Sequence, residues 1–451
     1  MEETVQKEYF ELLRFESVGA DPSRLKSCVD CAAWLRRWLG GLGFSCELLY
    51  PDAAMAQSAP PPPVVFAERK GDEGAPVVLV YGHYDVQPAD PLPEWRTPPF
   101  EPTVEGGRVY CRGAQDDKGQ LFAFLCGVRD FLAKDGPKPA LKLILDGQEE
   151  SGSAALEEMA PAMRRRLAAD VLLVCDTSAA AEMRPAIVAG LRGVSHFTIR
   201  LRGAGRDLHS GEYGGLAPNA AQAMAELVAS LHNRDGSVAV FGFRDGIEPP
   251  SHDELRLAEA SAPSERALAD DIGCDPVGGQ LGKTIVQRNC FEPTIEVNGI
   301  HSGYGGPGAK TVIPCEAVAK ISMRLVPGQT PRRAFDAVRQ HLEANVPRGM
   351  KLSVEDFNPG ATGFRLPLAS PLFRLAEGVL RDMDSRGPVF VWDGASIPVV
   401  SAVRAASGAA PLIVGWGQSE DRIHSPNESY SFEQFSKARE WAARILAALS
   451  E

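Results

Sequence analysis

The chain has 451 residues, which is too long for one ordinary domain and predicts two or three. Hydrophobic residues make up 44% and charged residues 24%, as in average globular proteins, which excludes a disordered, collagen-like or coiled-coil chain. Its 47 Lys and Arg residues against 59 Asp and Glu residues give a net charge of −12. We therefore expect neither nucleic acid nor an anionic membrane surface as a partner.

The first residues and the cysteines predict a cytoplasmic protein. Residues 1–7 are acidic and lack the basic-then-apolar order of a secretory signal, and no apolar run approaches the roughly 20 residues that span a bilayer. Nine cysteines spread along the chain favour reduced thiols over a disulfide framework. Cys28 and Cys31 have C-x-x-C spacing, but they lie in a helical pattern without a second pair, so we favour a structural role over a redox or metal role.

The first part of the chain alternates helices with short apolar strands. The patterns predict a helix at 24–42, buried strands at 77–81, 141–145 and 171–175, and a crossover helix at 117–133. This alternation is typical of an α/β domain with a mostly parallel sheet and helices on both faces.

From about Gly190 the pattern changes to that of an α+β domain. It predicts strands at 194–201, 293–297, 317–325 and 351–355, and helices at 218–232 and 331–345. After Pro359 the α/β pattern returns, with a helix at 371–383, a strand at 411–414 and a closing helix at 432–449 that begins at a Ser431/Gln434 capping box. We predict one domain formed by residues 1–189 and 361–451, and a second domain, residues 190–360, inserted into it.

Residues with metal-binding side chains follow the predicted buried strands or begin the crossover helix. They are His83 and Asp85, Asp116 and Asp117, Glu149 and Glu150, Asp176, and His424. In parallel α/β sheets, functional sites collect at the carboxyl ends of the strands, so we expect these side chains to converge. Each alone is weak evidence, but imidazoles together with several carboxylates are the ligands that a pair of divalent cations requires.

Six ordered motifs resemble the dizinc exopeptidase family that includes cytosolic nonspecific dipeptidase, carnosine dipeptidases, glutamate carboxypeptidase, aminoacylase and succinyl-diaminopimelate desuccinylase. The motifs are 82–88 (GHYDVQP), 112–119 (RGAQDDKG), 148–153 (QEESGS), 207–211 (DLHSG), 310–314 (KTVIP) and 322–327 (SMRLVP). They occur in the family's order over nearly the whole chain and are most similar to the dipeptidase branch. The resemblance implies a zinc-exopeptidase catalytic domain with an inserted lid and dimerisation domain.

The resemblance also implies a ligand set. His83, Asp116 and Asp176 would hold one metal, and Asp116, Glu150 and His424 the other, so that Asp116 is the bridge. The default is two Zn²⁺ ions per subunit, with Mn²⁺ or Co²⁺ as alternatives.

Other residues of this region resemble those that support the metals in the family. Asp85 would hydrogen-bond the ring of His83, and Glu149 would be the general base for a hydroxide shared by the two metals. The peptide bond between Asp116 and Asp117 is cis in the family. Asn427 and Glu428 match the family's pattern after the last histidine.

Three residues of the predicted lid, and one residue of the first domain, resemble substrate-handling residues of the family. His209 would reach across a homodimer to stabilise the oxyanion in the neighbouring subunit, and Thr311 would be a second residue supplied in trans. Arg324 would bind the free carboxylate of the substrate, a task suited to a guanidinium, and Ser396 would contact the same group. Ala395, beside Ser396, stands where the dipeptidases have glycine.

We therefore expect a metal-dependent dipeptidase that hydrolyses dipeptides or short peptides with a free C-terminal carboxylate. An N-acyl-amino-acid amidohydrolase or a carboxypeptidase on the same scaffold is the main alternative. A non-catalytic metal-binding protein is the alternative from another class. No G-x-S-x-G or H-E-x-x-H motif occurs, which argues against a common serine hydrolase or zincin.

Overall fold

A computed structural model describes residues 1–50 and 60–451. Their strands are β1 (Ser45–Leu49), β2 (Val64–Arg69), β3 (Val77–His83), β4 (Thr103–Glu105), β5 (Arg108–Tyr110), β6 (Ala140–Asp146), β7 (Val171–Val174), β8 (Ala186–Leu191), β9 (Gly193–Arg202), β10 (Leu208–His209), β11 (Thr294–Ser302), β12 (Val312–Ile313), β13 (Glu316–Leu325), β14 (Lys351–Ala361), β15 (Phe364–Arg365), β16 (Val389–Asp393), β17 (Ala410–Ile413) and β18 (Ser429–Ser431).

The α-helices of the same residues begin near the N-terminus and recur between the strands. They are α1 (Glu3–Leu13), α2 (Leu25–Gly41), α3 (Lys118–Leu132), α4 (Ala154–Met159), α5 (Arg164–Leu167), α6 (Ser210–Tyr213), α7 (Ala220–Ala229), α8 (His252–Ser261), α9 (Glu265–Ile272), α10 (Pro331–Ala344), α11 (Pro371–Met383), α12 (Pro398–Ser407) and α13 (Phe432–Ala448). In the described part of the chain, no helix has the length and apolar character needed to cross a membrane.

The chain divides into two compact units. Unit 1 comprises Met1–Ala189, Leu366–Val391 and Val399–Glu451, and unit 2 comprises Gly190–Arg365 and Trp392–Pro398. Residues 361–365 and 392–398, which we predicted in the first domain, thus group with unit 2. Their pairing explains this: β15 pairs with Gly190 and Leu191, and the 392–398 segment hydrogen-bonds to Arg192.

Unit 1 is built on a sheet with strand order β1-β2-β6-β3-β7-β17-β8. The four strands β6, β3, β7 and β17 are parallel neighbours, whereas β1, β2 and β8 pair antiparallel. Strand β7 is buried at every position, as expected for a parallel strand covered on both faces. The predicted α/β class is confirmed, and its sheet is mixed with a parallel centre.

Two helices of unit 1 pack closely against each other. Helix α3 is buried over most of its length, and a Cβ atom at its Gly127 would overlap the carbonyl oxygen of Arg439 in α13. The absence of a side chain at Gly127 therefore permits the close approach of α3 and α13. Helix α13 begins at the predicted capping box, in which Ser431 and Gln434 cap each other's backbone N–H groups.

Unit 2 contains the antiparallel sheet β11-β13-β9-β14 with α7 and α10 packed on one face. Strand β9 shows the predicted alternation, since Phe197, Ile199 and Leu201 are buried in this core. Helix α7 begins after the predicted start at 218 because Asn219 caps its first turn, accepting hydrogen bonds from two backbone N–H groups, and it ends before the predicted end at 232. A two-stranded ribbon of β10 and β12 completes this α+β arrangement.

Candidate metal centre

The parallel strands of unit 1 bring the predicted ligands to one edge of the sheet. His83 is the last residue of β3 and lies opposite Asp146, the last residue of the parallel neighbour β6. Asp176 follows β7, the other parallel neighbour of β3, by two residues. Because parallel strands end on the same side, the loops after β3, β6 and β7 converge there.

Two groups of side chains at this edge have the composition of metal sites. His83, Asp116 and Asp176 form one group, and Asp116, Glu150 and His424 form the other, with the ligand atoms of each group within 4.8 Å of one another. These are the two sets that the resemblance implied, and Asp116 belongs to both.

Asp116 lies between the two histidines. Its Oδ1 atom is 3.1 Å from Nε2 of His83, and its Oδ2 atom is 2.8 Å from Nε2 of His424. Nε2 of His83 is also 3.6 Å from Asp176, and Nε2 of His424 is 3.2 Å from Glu150. Each oxygen of Asp116 thus faces a different group, as a bridging carboxylate requires.

The electrostatics of the centre fit divalent cations. Burial, with the carboxylates of Asp116 and Glu150, raises the pKa of Asp176 to about 7, although His83 opposes this shift. Hydrogen bonds to Asp116 and Glu150 raise the pKa of His424 to about 10. The two groups contain three carboxylates and two imidazoles, and this donor set of two nitrogens and several oxygens suits zinc or a similar metal.

Glu149 lies beside both groups and belongs to neither. Burial raises its pKa to about 8, and the carboxylates of Asp176 and Glu150 act in the same direction, while His83 opposes them. It begins the 3₁₀ turn Glu149–Ser151, which follows β6 directly. A carboxyl group with a raised pKa beside a metal centre has the properties of a general acid–base residue.

Asp85 supports both the histidine and the turn after β6. Its Oδ1 atom is 3.3 Å from Nδ1 of His83, the ring nitrogen that faces away from the metal groups. Its carboxylate also accepts hydrogen bonds from the backbone N–H groups of Glu149 and Glu150, at 3.1 and 3.2 Å. The sequence indicated only the first contact. The second follows from the adjacent ends of β3 and β6.

Glu428 is fully buried and holds the loop that carries Asp116. Its Oε1 atom accepts from the N–H groups of Gln115 and Asp116, and its Oε2 atom accepts from Gly113 N–H and from the guanidinium of Arg112. The distances are 2.7–3.0 Å. One side chain therefore satisfies three backbone donors and pairs with a buried cation.

The loop before Glu428 has an unusual backbone. Arg422, His424 and Asn427 all have positive φ angles, of 57°, 58° and 65°. Asn427 tolerates this conformation well, and its side chain accepts from Arg96 N–H and donates to the carbonyl of Glu94, both at 2.8 Å. Backbone strain of this kind is typical of functional loops.

Three other observations complete the description of the site in unit 1. The peptide bond between Asp116 and Asp117 is cis, as the resemblance implied. Oδ2 of Asp117 accepts a hydrogen bond from the N–H of His83 at 3.1 Å. Gln87, whose role the sequence did not reveal, donates to Glu150 at 2.8 Å, and its place in the GHYDVQP motif was the available signal.

Unit 2 contains the three predicted lid residues and also Ser396, which we predicted in the first domain, and these four residues form two pairs. Exposed His209 is the last residue of β10, and Thr311 directly precedes the partner strand β12. The N–H of Ser210 donates to the carbonyl of Thr311 at 3.1 Å. Arg324, on β13, donates to Oγ of Ser396 at 3.0 Å. Ala395 is exposed and does not have the positive φ that would require glycine, so its methyl group is accommodated in the segment.

The chain resembles several characterised peptidases over most of its length. It is 29% identical to the Beta-Ala-His dipeptidase of Rattus norvegicus, over 92% of this chain and 85% of that protein. It is also 29% identical to the Cys-Gly metallodipeptidase dug1 of Schizosaccharomyces pombe, over 84% of this chain and 81% of that protein.

Solved structures share the fold. Human carnosine dipeptidase 1 superimposes with a TM-score of 0.77 at 27% identity, covering 99% of this chain and 96% of that one. The M20 family metallo-carboxypeptidase Sso-CP2 of Sulfolobus solfataricus has a TM-score of 0.85 at 26% identity, and both chains are covered completely.

These findings confirm the predicted class of enzyme. The family model described as Peptidase family M20/M25/M40 matches residues 79–448, which is most of the chain. The prediction of a metal-dependent hydrolase of peptide bonds is confirmed, and the dipeptidase assignment agrees with the names of the relatives. This chain belongs to peptidase family M20/M25/M40.

Proposed function

We propose that the protein hydrolyses the peptide bond of dipeptides and short peptides that have a free C-terminal carboxylate. The observation that carries the proposal is the shared position of Asp116, whose two oxygens face His83 and His424 separately, with Glu149 beside them. A site of this kind can activate water and hold a carbonyl at the same time.

Two divalent cations are the cofactors of the proposed reaction. His83, Asp116 and Asp176 would hold one cation, and Asp116, Glu150 and His424 the other. Zn²⁺ is the default for this ligand set, with Mn²⁺ or Co²⁺ as alternatives. When bound, such ions lower the pKa of water and polarise the scissile carbonyl.

Glu149 would move the proton. Its carboxylate accepts a proton from the attacking water and delivers it to the nitrogen of the leaving amine, so that one residue acts first as base and then as acid. Asp85 would keep this residue in place through its hydrogen bond to the Glu149 N–H. It would also orient the ring of His83.

Arg324 and Ser396 would receive the carboxylate of the substrate. Arg324 already donates to Oγ of Ser396, and a guanidinium can hold a carboxylate with two parallel hydrogen bonds. This pair supports a preference for substrates with a free C-terminus.

We propose a homodimer as the working form, in which His209 and Thr311 act on the site of the neighbouring subunit. His209 is exposed, and its Nδ1 accepts from the Gly211 N–H, which leaves Nε2 free to donate to an oxyanion. His209 ends β10 and Thr311 directly precedes its partner strand β12, so the two residues are adjacent on the same part of unit 2.

A carboxypeptidase is the second candidate, since the full-length match to Sso-CP2 favours it. Both enzymes would use the carboxylate pair described above. A dipeptidase requires a substrate of two residues, whereas a carboxypeptidase removes the last residue of a longer peptide. An aminoacylase would differ from both in accepting an N-acyl group in place of the N-terminal residue.

A substrate panel separates these candidates. Chelated protein is reloaded with Zn²⁺ or Mn²⁺ and tested on free dipeptides, tetrapeptides and N-acetyl amino acids of matched sequence. We expect metal-dependent cleavage of the dipeptides. Preferential cleavage of tetrapeptides would favour a carboxypeptidase, cleavage of only the acetylated compounds an amidohydrolase, and no cleavage with metal bound a non-catalytic protein.

We also propose a cytoplasmic location. All nine cysteines are free thiols, as expected in a reducing compartment. Cell fractionation with an antibody to the chain tests this, and enrichment in a secreted fraction would contradict it.

A further inference from the structure

Arg192 joins β8 to β9 and is almost completely buried, with 8% of its surface exposed. Its Nε atom donates to the carbonyl of Gly394 at 2.8 Å, and its NH1 atom donates to the carbonyl of Glu292 at 3.3 Å. Its NH2 atom is 3.5 Å from Oδ1 of Asn289, and its backbone N–H donates to the carbonyl of Ala395 at 3.1 Å. One residue therefore ties the 392–398 segment to residues 289–292.

The surroundings of this guanidinium are unusual for a buried cation. The hydrogen-bond acceptors that the described residues offer to Arg192 are neutral carbonyl and amide oxygens. Burial, followed by the charge of Arg324, lowers the pKa of Arg192 to about 10, although Glu296 and Asp393 oppose this shift. Buried charges usually have an ionic partner, so two nearby guanidiniums with neutral partners form a region suited to an anion.

The tied segment is packed tightly on its other side. A Cβ atom at Gly394 would overlap Oδ1 of Asn289, and the thiol of Cys290 is 2.9 Å from the carbonyl of Trp392. Within the segment, Asp393 accepts from the N–H of Ala395 at 2.8 Å. The backbone at 394–395 is thus closely packed on one side and hydrogen-bonded to Arg192 on the other.

Ser396 follows this fixed backbone directly. Its Oγ accepts from Arg324 at 3.0 Å, so the position of the 394–395 backbone affects the distance between Ser396 and Arg324. We infer that Arg192 is a positioning residue that fixes Ser396 against Arg324 and thereby sets the preference for substrates with a free carboxylate. This inference rests on the proposed function, because it assigns Arg192 to the carboxylate pair named there.

Arg192→Gln in the full-length, metal-loaded protein tests the inference. For a free dipeptide, we expect KM to rise about tenfold or more while kcat changes less than about threefold, since a lost charged hydrogen bond weakens binding on this scale. For the C-terminal amide of the same dipeptide, kcat/KM should stay unchanged. The ratio of the two kcat/KM values therefore falls, which a merely destabilised protein would not show.

Arg192→Lys separates charge from geometry. The guanidinium uses different nitrogens for the carbonyls of Gly394 and Glu292, and a single ammonium lacks this planar fork, so the lysine variant should lose the preference as well. Arg200→Lys is the matched control, because Arg200 lies on β9 but pairs with Glu316 and Glu355. The inference would be overturned if Arg192→Lys kept the full preference for the free dipeptide over its C-terminal amide. An equal loss of kcat for the dipeptide and the amide would also overturn it.

Gly394→Ala provides a second route if the Arg192 variants do not fold, because the added methyl group displaces the same backbone while Arg192 stays intact. We expect the same selective rise in KM. Arg324→Gln should abolish the preference in any case. If the wild type cleaves no dipeptide, the proposed function fails. If Arg324→Gln loses the preference while Arg192→Gln and Gly394→Ala both keep it, the positioning role of Arg192 is wrong but the proposed function still holds.

Discussion

The backbone N–H of Asp116 donates a hydrogen bond to Oε1 of Glu428 at 3.0 Å. The residue between the two candidate metal groups is thus held by a carboxylate 312 positions later in the chain. Since the other oxygen of Glu428 pairs with Arg112, this contact links the position of Asp116 to a buried ion pair.

Glu428→Gln should weaken metal binding. The amide retains the size of the side chain but loses the charge that faces Arg112, and breaking a buried ion pair is strongly destabilising. We expect metal affinity to fall by about 10- to 100-fold, as for other residues that orient ligands. Competition with a chelating indicator measures this, and Glu420→Gln, an exposed change in the same loop, is the control. Unchanged affinity in Glu428→Gln would contradict the positioning role.

Glu149→Gln should abolish turnover without loss of metal. Removing a general base typically lowers kcat by about 10²- to 10⁴-fold, whereas Glu149 belongs to neither ligand group. Dipeptide hydrolysis and metal content by atomic emission are measured on the same sample. Glu158→Gln, an exposed change in α4, should retain full activity. A Glu149→Gln protein with normal kcat would disprove the assignment.

His209 and Glu149 allow a test of the homodimer by complementation. If His209 acts in trans, a mixed dimer of His209→Ala and Glu149→Ala subunits has one site with both residues intact. Random mixing of equal amounts should restore about a quarter of the wild-type activity, because half of the dimers are mixed and each has one working site. If the mixture is as inactive as its parents despite subunit exchange, His209 acts in cis or has no catalytic role.

Glu157 should make stability depend on pH. Burial, with the nearby Asp146 carboxylate, raises its pKa from 4.5 to about 7. Between these two pH values the folded chain holds a proton that the unfolded chain has released. The free energy of unfolding is therefore undiminished below about pH 4.5 and decreases as the pH rises through about 7. Glu157→Gln should therefore raise the melting temperature at about pH 8 and leave it unchanged at about pH 4. If the wild type and Glu157→Gln have the same melting temperature at about pH 8 as well as at about pH 4, this pKa shift is contradicted.

Much of the centre could be predicted from short stretches of sequence. His83, Glu149 and Asp176 follow apolar runs that predict buried strands, and a parallel sheet places the residues after such strands at one edge. The predicted roles, His83 and Asp176 as ligands and Glu149 as general base, came from residue type and from the order of the motifs, which do not depend on knowing the tertiary structure.

The supporting contacts could not be predicted in the same way. Asp85 was expected to contact His83, but its hydrogen bonds to the turn at Glu149–Ser151 depend on β3 and β6 ending side by side. The limits of the inserted domain also differed, because β15 and the 392–398 segment pair with residues distant in sequence.

The amino-acid sequence by itself determined the α/β class, the family motifs and the residues with metal-binding chemistry, since each is encoded by local pattern and residue type. The tertiary structure decided that Asp116 faces both histidines, that Glu428 holds its loop, and that Arg192 ties down the segment before Ser396. Glu428 lies 312 residues from Asp116, and Arg192 lies 202 residues from Gly394. Hydrogen bonds over such separations depend on which strands become neighbours, and no local spacing encodes that.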